Sequence, residues 1–307
     1  MTFLEPVKFL MNNKPLLICT DLDRTLIPNG IQAESSLSRR LFSFLSKHDF
    51  IRLAYVTGRD IKLVNKAINS YQLPIPDYII SDVGASLYQS IDNQNPKQLQ
   101  WQYMIEWENS YKQDWGGHKS SDLSVFFSDI SELRKQEITK QKDYKLSYYL
   151  PLYVKHQLII DKMKQRLSEE NIKAEFIWSI DAPNSIGLLD VMPEHATKKN
   201  AIEYLMKFVG FSYDNTIFSG DSGNDLDVLY SQIKSTLVAN AHPDIKQEIE
   251  QFLLNDTHNS TIYIAQGNFL NMNGNYSAGI LEGICHYFPD YLPFLENQLM
   301  AIHHDSK

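Results

Sequence analysis

Cysteine is scarce: the chain holds two, Cys19 and Cys285, far apart in sequence. That excludes a disulfide framework and a thiolate metal centre, which both need several cysteines at set spacings. Long apolar runs are missing as well, and no stretch of about 18 apolar residues, the length of a membrane-crossing helix, occurs anywhere. Met1–Asn13 has neither a long apolar region nor a basic lead followed by a small-residue cleavage site, so the expectation is a cytoplasmic chain with two buried, reduced cysteines. Positive charge is not in excess. Lys and Arg number 29 against 37 Asp and Glu, and the net charge of −8 argues against non-specific binding to nucleic acid or to anionic membranes. An anionic ligand would need a local device such as a metal ion. Internal repeats and low-complexity tracts are also lacking.

What is present is a short apolar run that ends in acid. Leu16-Leu17-Ile18-Cys19-Thr20 reads as a strand buried on both faces of a parallel sheet, followed by Asp21-Leu22-Asp23. In a strand, residues i and i+2 point to the same side, so Asp21 and Asp23 can face one small volume. Their repulsion there must be relieved by a cation or a shared proton.

Strand and helix then alternate, the pattern of a parallel sheet with crossover helices. A helix is expected over Ser35–Ser46, a strand over Ile51–Val56, a helix with Ile61, Val64 and Ile68 in register, and a strand over Asp77–Ser81. From about Asn93 to Leu189 the texture changes to aromatics and polar loops. Asp143–Leu150 alternates Lys145, Ser147 and Tyr149 against Leu146, Tyr148 and Leu150, a strand with one buried face. His156–Asn171 reads as a helix and Lys173–Ser179 as a strand. After Pro193 the alternation resumes, through a helix at Lys199–Val209 and a strand at Asn215–Ser219, to a closing helix at Ser277–Tyr287. The expected fold class is α/β, with a core over residues 1–92 and 190–307 and an α+β module inserted over 93–189.

Four pieces fall where such a sheet binds ligands, at the carboxyl ends of its strands. They are Asp21 with Asp23, then Thr57-Gly58 after the second strand, then Lys198/Lys199 at a helix start, and Gly220-Asp221-Ser222-Gly223-Asn224-Asp225 after a later strand. The Thr57 hydroxyl and Gly58 amide suit a phosphate oxygen at a helix N-terminus, although such a turn is also an ordinary cap. Together, Asp-x-Asp-x-Thr at 21–25, Thr-Gly-Arg at 57–59, Asp190 with Lys198, and Gly-Asp-Ser-Gly-Asn-Asp at 220–225 resemble the signature set of the haloacid dehalogenase superfamily. Val83-Gly84-Ala85, Lys145-Leu146-Ser147-Tyr148 and Ala278-Gly279-Ile280-Leu281-Glu282 look like its sucrose-phosphate phosphatase branch.

That resemblance implies a Rossmann-like core with a large α/β cap, and a Mg²⁺-dependent phosphatase acting on a sugar phosphate, sucrose 6-phosphate first and glucosylglycerol or mannosylfructose phosphates next. It makes Asp21 the nucleophile that forms an aspartyl-phosphate and Asp23 the general acid and base. Thr57, Gly58 and Lys198 hold the phosphoryl oxygens. Mg²⁺ is placed between Asp21, the Asp23 carbonyl and Asp221, with Asp225 and Asn224 in support. Lys198 is preferred to Lys199 because it falls eight residues after Asp190 and two before Asn200, a further supporting residue. Lys145 and Ser147 are candidates for sugar contacts, and Trp101, Trp107 and Trp115 could stack on a sugar or fill a core. Arg24 departs from the commoner Gly or Asn and is expected to point away from Asp21 and Asp23, with little catalytic effect. Asn275-Tyr276-Ser277 lacks the His that some sucrose-phosphatases carry before Ala-Gly. An intramolecular phosphotransferase resembling phosphomannomutase is the alternative, and an inactive sugar-phosphate sensor a third; the partner in each case is a small sugar phosphate.

Overall fold

A computed structural model describes residues 14–91, 99–181, 184–255 and 261–305. In chain order the first elements are β1 (Leu16–Thr20), α1 (Ser38–Leu45), β2 (Ile51–Val56), α2 (Ile61–Tyr71), β3 (Tyr78–Ser81), β4 (Ser86–Ser90), β5 (Trp101–Tyr103) and α3 (Ile105–Tyr111). Then come α4 (Ser120–Leu123), β6 (Arg134–Lys135), β7 (Leu146–Leu150), α5 (His156–Glu169), β8 (Ala174–Asp181) and β9 (Ile186–Pro193). The rest are α6 (Lys198–Val209), β10 (Thr216–Gly220), α7 (Leu226–Leu229), β11 (Lys234–Leu237), α8 (Pro243–Asn255), β12 (Ile262–Ile264), α9 (Ser277–Tyr287) and α10 (Leu292–Asp305).

Eight strands form one sheet in the order β12-β11-β10-β1-β2-β3-β4-β5, parallel from β12 to β3 and antiparallel at β4 and β5. The alternation of β1 explains its all-apolar sequence. Leu16 and Ile18 pack on one face with α1, α2 and α9, while Leu17 and Cys19 pack on the other with Trp107 and the α6 residues Ala201, Ile202 and Leu205. Each such fully buried aliphatic side chain contributes ~1.5–3 kcal/mol, so the strand next to the site is also among the most firmly anchored. Because β1 lies between β10 and β2, its carboxyl end opens at the switch point where a doubly wound sheet takes its ligand.

The second sheet, β6-β7-β9-β8, is antiparallel and carries its own apolar cluster of Trp115, Phe127, Leu146, Tyr148, Met163 and Val191, among others. This sheet lies within the residues expected to form an inserted module, and the strand pairing around it bears on the expected limits. The expected start at residue 93 lies outside the described residues. Trp101–Tyr103 pairs with β4 in the main sheet, and Trp107 and Tyr111 join that sheet's core, so the chain leaves the main body only after α3. At the other limit, 189/190, β9 runs unbroken to Pro193, with Val191 in one core and Met192 in the other. The hairpin joining β3 to β4 was hidden because it turns through Asp82, Val83 and Gly84 at φ 52°, 62° and 111°, a conformation that no pattern of apolar residues announces.

Two further expectations change. Ser277–Tyr287 is not the last helix: α10 follows, and Pro293 sits in its first turn, where a missing N–H costs nothing. The strand holding Lys145, Ser147 and Tyr149 does not have one solvated face, because it runs between β6 and β9 and both Lys145 and Ser147 are buried. Among the described residues, no helix is long and apolar enough to cross a membrane. Both cysteines are free and buried.

Candidate active site

The site forms where four chain segments reach the carboxyl edge of the main sheet. Asp21 follows β1 directly, and its backbone N–H donates to Ser219 O at 2.9 Å, extending the β1–β10 ladder by one rung. The chain then turns sharply, with Leu22 O accepting from the N–H groups of Thr25, Leu26 and Ile27. The pleat therefore ends at Thr20, and a turn, not strand alternation, sets the directions of residues 22–25. Asp21 points inward to Lys198, whereas the Asp23 carboxylate takes a two-pronged pair from Arg59 at 2.6 Å on each oxygen, plus Asn29 Nδ2 at 2.6 Å.

Lys198 is wholly buried, and its ammonium has three acceptors: Asp21 Oδ1 at 3.0 Å, Asn224 Oδ1 at 2.8 Å and Asp225 Oδ1 at 2.6 Å. It is the first residue of α6, where the Thr197 hydroxyl accepts the Asn200 N–H and Asp227 accepts the Lys199 N–H, so both fix the helix start. Gly84 sits against this turn; a Cβ there would lie 2.4 Å from the Thr197 carbonyl carbon. Lys199 instead pairs with Glu203 at the surface, which settles which of the two lysines stands at Asp21. Asn200 enters through its backbone N–H.

Asp221 follows β10 as Asp21 follows β1. The Thr25 hydroxyl reaches Asp221 Oδ1 at 3.3 Å and Arg24 Nε reaches Oδ2 at 3.2 Å. Asp225 curls back so that its Oδ2 accepts the N–H groups of Asp221 and Ser222 at 3.0 and 3.1 Å. Gly220 makes room for this, since a Cβ there would meet the Asp225 carboxyl carbon at 2.6 Å. Thr57 is buried, tied by its N–H to Ile80 O and by its carbonyl to the Val83 N–H, with half-buried Gly58 beside it.

Asp21, Asp221 and Asp225 bring carboxylate oxygens within 4.8 Å of one another, all three side chains buried. Burial, joined by the charges of Asp225 and Asp23 and opposed by Lys198, pushes the Asp21 carboxyl up to about 7. Asp221 is pushed well above the ordinary carboxylate range by burial and by Asp21 and Asp225. Lys198 stays charged: burial opposes it, but Asp21 and Asp225 outweigh that and hold it above its ordinary value. Burial raises the Asp23 carboxyl too, yet the Arg59 pair and Asn29 prevail and leave it below its ordinary value. Such a set of buried, mutually repelling hard oxygens fits a hard divalent cation.

Known proteins are similar to this chain in sequence and fold. Residues 14–288 match the family model of sucrose-6F-phosphate phosphohydrolases. The chain belongs to that family. It is 44% identical over 281 residues to a HAD-like hydrolase of Nitrosococcus oceani, covering 92% of this chain and 74% of that protein. It is 25% identical over 280 residues to the mannosylfructose-phosphate phosphatase of Agrobacterium fabrum, covering 89% and 98%. The fold matches the crystal structure of the sucrose-phosphatase of Synechocystis sp. PCC6803 in complex with sucrose and phosphate, with a TM-score of 0.71 at 24% identity over 89% of this chain and 98% of that one. The protein is thus a hydrolase of the haloacid dehalogenase superfamily, a sugar phosphatase of the sucrose-phosphatase-like branch.

In this phosphatase Arg24, expected to point away from Asp21 and Asp23, meets a different acid. It sits at φ 59° in the turn, outside the pleat, and its guanidinium lies on Asp221. Arg59, Asn29, Thr25 and Asn240 also touch the acids or their neighbours and were given no role in sequence; Thr25, inside Asp-x-Asp-x-Thr, and Arg59, inside Thr-Gly-Arg, stood in motifs, and Asn29 and Asn240 in none. In the second sheet Ser147 Oγ donates to Asp190 Oδ1 at 2.5 Å and Lys145 Nζ lies 3.6 Å from Asp190 Oδ2, which leaves the wholly buried Ser147 no surface to offer a ligand in this conformation. Trp107 and Trp115 are buried core residues, and Trp101 Nε1 donates to Asn65.

Proposed function

We propose that this phosphatase hydrolyses the phosphate monoester of a fructose-containing disaccharide, with sucrose 6-phosphate the first candidate, through an aspartyl-phosphate on Asp21. The observation that carries it is the wholly buried Lys198 ammonium held 3.0 Å from Asp21 among three buried carboxylates. The substrate class rests on the family's description and on the mannosylfructose-phosphate phosphatase matched along 98% of its length. An isolated carboxylate is repelled by a phosphate dianion, so the attack needs positive charge beside both. Mg²⁺ held by Asp21, the Asp23 carbonyl and Asp221 would supply that charge when bound.

The chain's own residues do the rest. Lys198 fixes the rotation of the Asp21 carboxylate through Oδ1, and Asp225 and Asn224 fix Lys198 in turn. Asp21 forms a bond to phosphorus as the bond to the sugar oxygen breaks, while Asp23 gives that oxygen a proton. Water then attacks phosphorus, Asp23 takes its proton, and Asp21 is released. Thr57, Gly58 and Lys198 are suited to receive the phosphoryl oxygens at the starts of α2 and α6. The Arg59 pair favours the ionised form of Asp23, which serves the water step; protonating the leaving oxygen requires the carboxyl to loosen from Arg59 first.

The test is inorganic phosphate release by the pure protein with Mg²⁺ over sucrose 6-phosphate, mannosylfructose phosphate, glucosylglycerol phosphate and hexose monophosphates. Fastest release from a fructose-containing disaccharide is expected. A hexose monophosphate as the best substrate would overturn the substrate class, and interconversion of hexose phosphates without phosphate release would favour the mutase.

A further inference from the structure

Arg24 is held more tightly than a surface arginine in a turn has reason to be. Its backbone N–H donates to Asn29 Oδ1 at 2.8 Å and its carbonyl accepts from Asn240 Nδ2 at 2.6 Å. Its guanidinium donates from Nε to Asp221 Oδ2 at 3.2 Å and from Nη2 to Asn240 O at 3.1 Å. Asn240 is itself buried and held by the Tyr276 N–H at 2.7 Å, which anchors the arrangement to the N-terminus of α9. All this keeps a non-glycine residue in the left-handed region at φ 59°, a conformation that L side chains adopt only when their surroundings fix it. Contacts on the backbone and on the guanidinium thus converge to set one positive charge beside one buried carboxylate.

We infer that Arg24 is a positioning residue acting as an internal counter-cation: it holds Asp221 while no divalent ion is bound, and thereby limits how tightly the acidic cluster binds one. The inference rests on the proposal that Asp221 is a metal ligand. Two effects decide its direction. The guanidinium occupies an oxygen of Asp221 and repels any further cation there, which weakens metal binding. It also orients the carboxylate, which would strengthen binding. The Thr25 hydroxyl on Oδ1 and the backbone hydrogen bond from Asp221 to Asp225 already provide orientation, so the charge effect prevails.

The experiment is isothermal titration of the full chain with MgCl₂, without substrate, for wild type, Arg24→Gln, Arg24→Met and Arg24→Lys, paired with melting curves in chelator and in Mg²⁺. The two neutral variants should bind Mg²⁺ about tenfold more tightly, melt lower in chelator, and gain more from Mg²⁺ than wild type. Arg24→Lys, which keeps the charge, should stay within about twofold of wild type, a rescue that a merely structural role would not give. Unchanged or weaker binding in a neutral variant while wild type binds overturns the inference and leaves the metal proposal standing. Failure of folded wild type to bind Mg²⁺ overturns the metal proposal and the inference with it. If neither neutral variant folds even with Mg²⁺, Arg24→Lys decides: binding tenfold weaker than wild type would show that orientation dominates and overturn the inference.

Discussion

Asp21→Asn should abolish turnover and at the same time stabilise the metal-free protein. Burial lifts the Asp21 carboxyl from its ordinary 3.8 to about 7. At ~1.36 kcal/mol per pH unit, ionising it in the folded state costs up to ~4 kcal/mol relative to the unfolded chain. Asparagine has nearly the same shape and no charge, and the Lys198 interaction that it weakens is already contained in that value. Lys198 keeps Asp225 and Asn224 as acceptors, so it is not stranded. The gain above pH 7 is therefore up to ~4 kcal/mol, or several degrees in Tm for a chain of this length. The pH dependence has a definite sign. A carboxyl whose folded pKa is raised contributes stability that is complete below its unfolded value and is lost as pH rises through the folded one. The wild type should therefore lose stability from about pH 4 to about pH 7, and the advantage of Asp21→Asn should be visible at pH 8 and vanish near pH 4. Scanning calorimetry in chelator across that range reads this directly, and phosphate release with Mg²⁺ reads the chemistry. A variant less stable than wild type at pH 8 in chelator would refute the electrostatic reasoning, and substantial residual turnover would refute Asp21 as nucleophile.

Removing the Arg59 charge in Arg59→Gln should let burial prevail at Asp23, raising its pKa and moving the acidic limb of the kcat/KM profile to higher pH; an unmoved limb would dissociate Asp23 from the base role. Lys198→Met strands the buried Asp21 and Asp225 carboxylates, and should cost ~3–5 kcal/mol of stability in chelator and about 10²–10³ in kcat, whereas Lys199→Ala, at a surface pair with Glu203, should change stability by less than ~1 kcal/mol and leave turnover near wild type. Equal losses in the two variants would contradict the assignment of Lys198. Exhaustive chelation should stop phosphate release and Mg²⁺ should restore it, with activity that survives chelation counting against a metal role.

How far the site could be read in the sequence follows from which contacts obey a period. β1, β2 and β10 announce themselves as apolar runs because both of their faces are buried, and the acids and Thr57 at their ends can be located by counting. Lys198 could be placed by its distance from Asp190 but not shown to be buried, since that depends on Gly84 and Asp227 meeting the first turn of α6 from elsewhere in the chain. The contact of Arg24 with Asp221 was not foreseen, because the strand rule was carried past Thr20 into a turn with left-handed backbone. Lys145 and Ser147 suggested a solvated strand face, yet the strand's partner across the sheet brings Asp190 opposite Ser147, and the pair becomes buried and internally satisfied. For Lys198, Lys145 and Ser147 the missing information is a long-range partner, which one segment's composition cannot carry.

The charges at the site bear on how an acidic protein can hold an anion. Each of three cations is already committed to a carboxylate: Lys198 to Asp21 and Asp225, Arg59 to Asp23, and Arg24 to Asp221. Four carboxylates therefore face three cations before any substrate enters, and a phosphate monoester adds up to two further negative charges. Side chains alone would have to abandon a buried carboxylate in order to bind it, which leaves that group desolvated and unpaired. A divalent ion held by Asp21 and Asp221, as proposed, would reverse the balance, and the carboxylates it would share are those paired with Lys198 and Arg24. Of those two cations Lys198 keeps Asp225 and Asn224 as further acceptors, whereas Asp221 is the one carboxylate that Arg24 meets among the described residues.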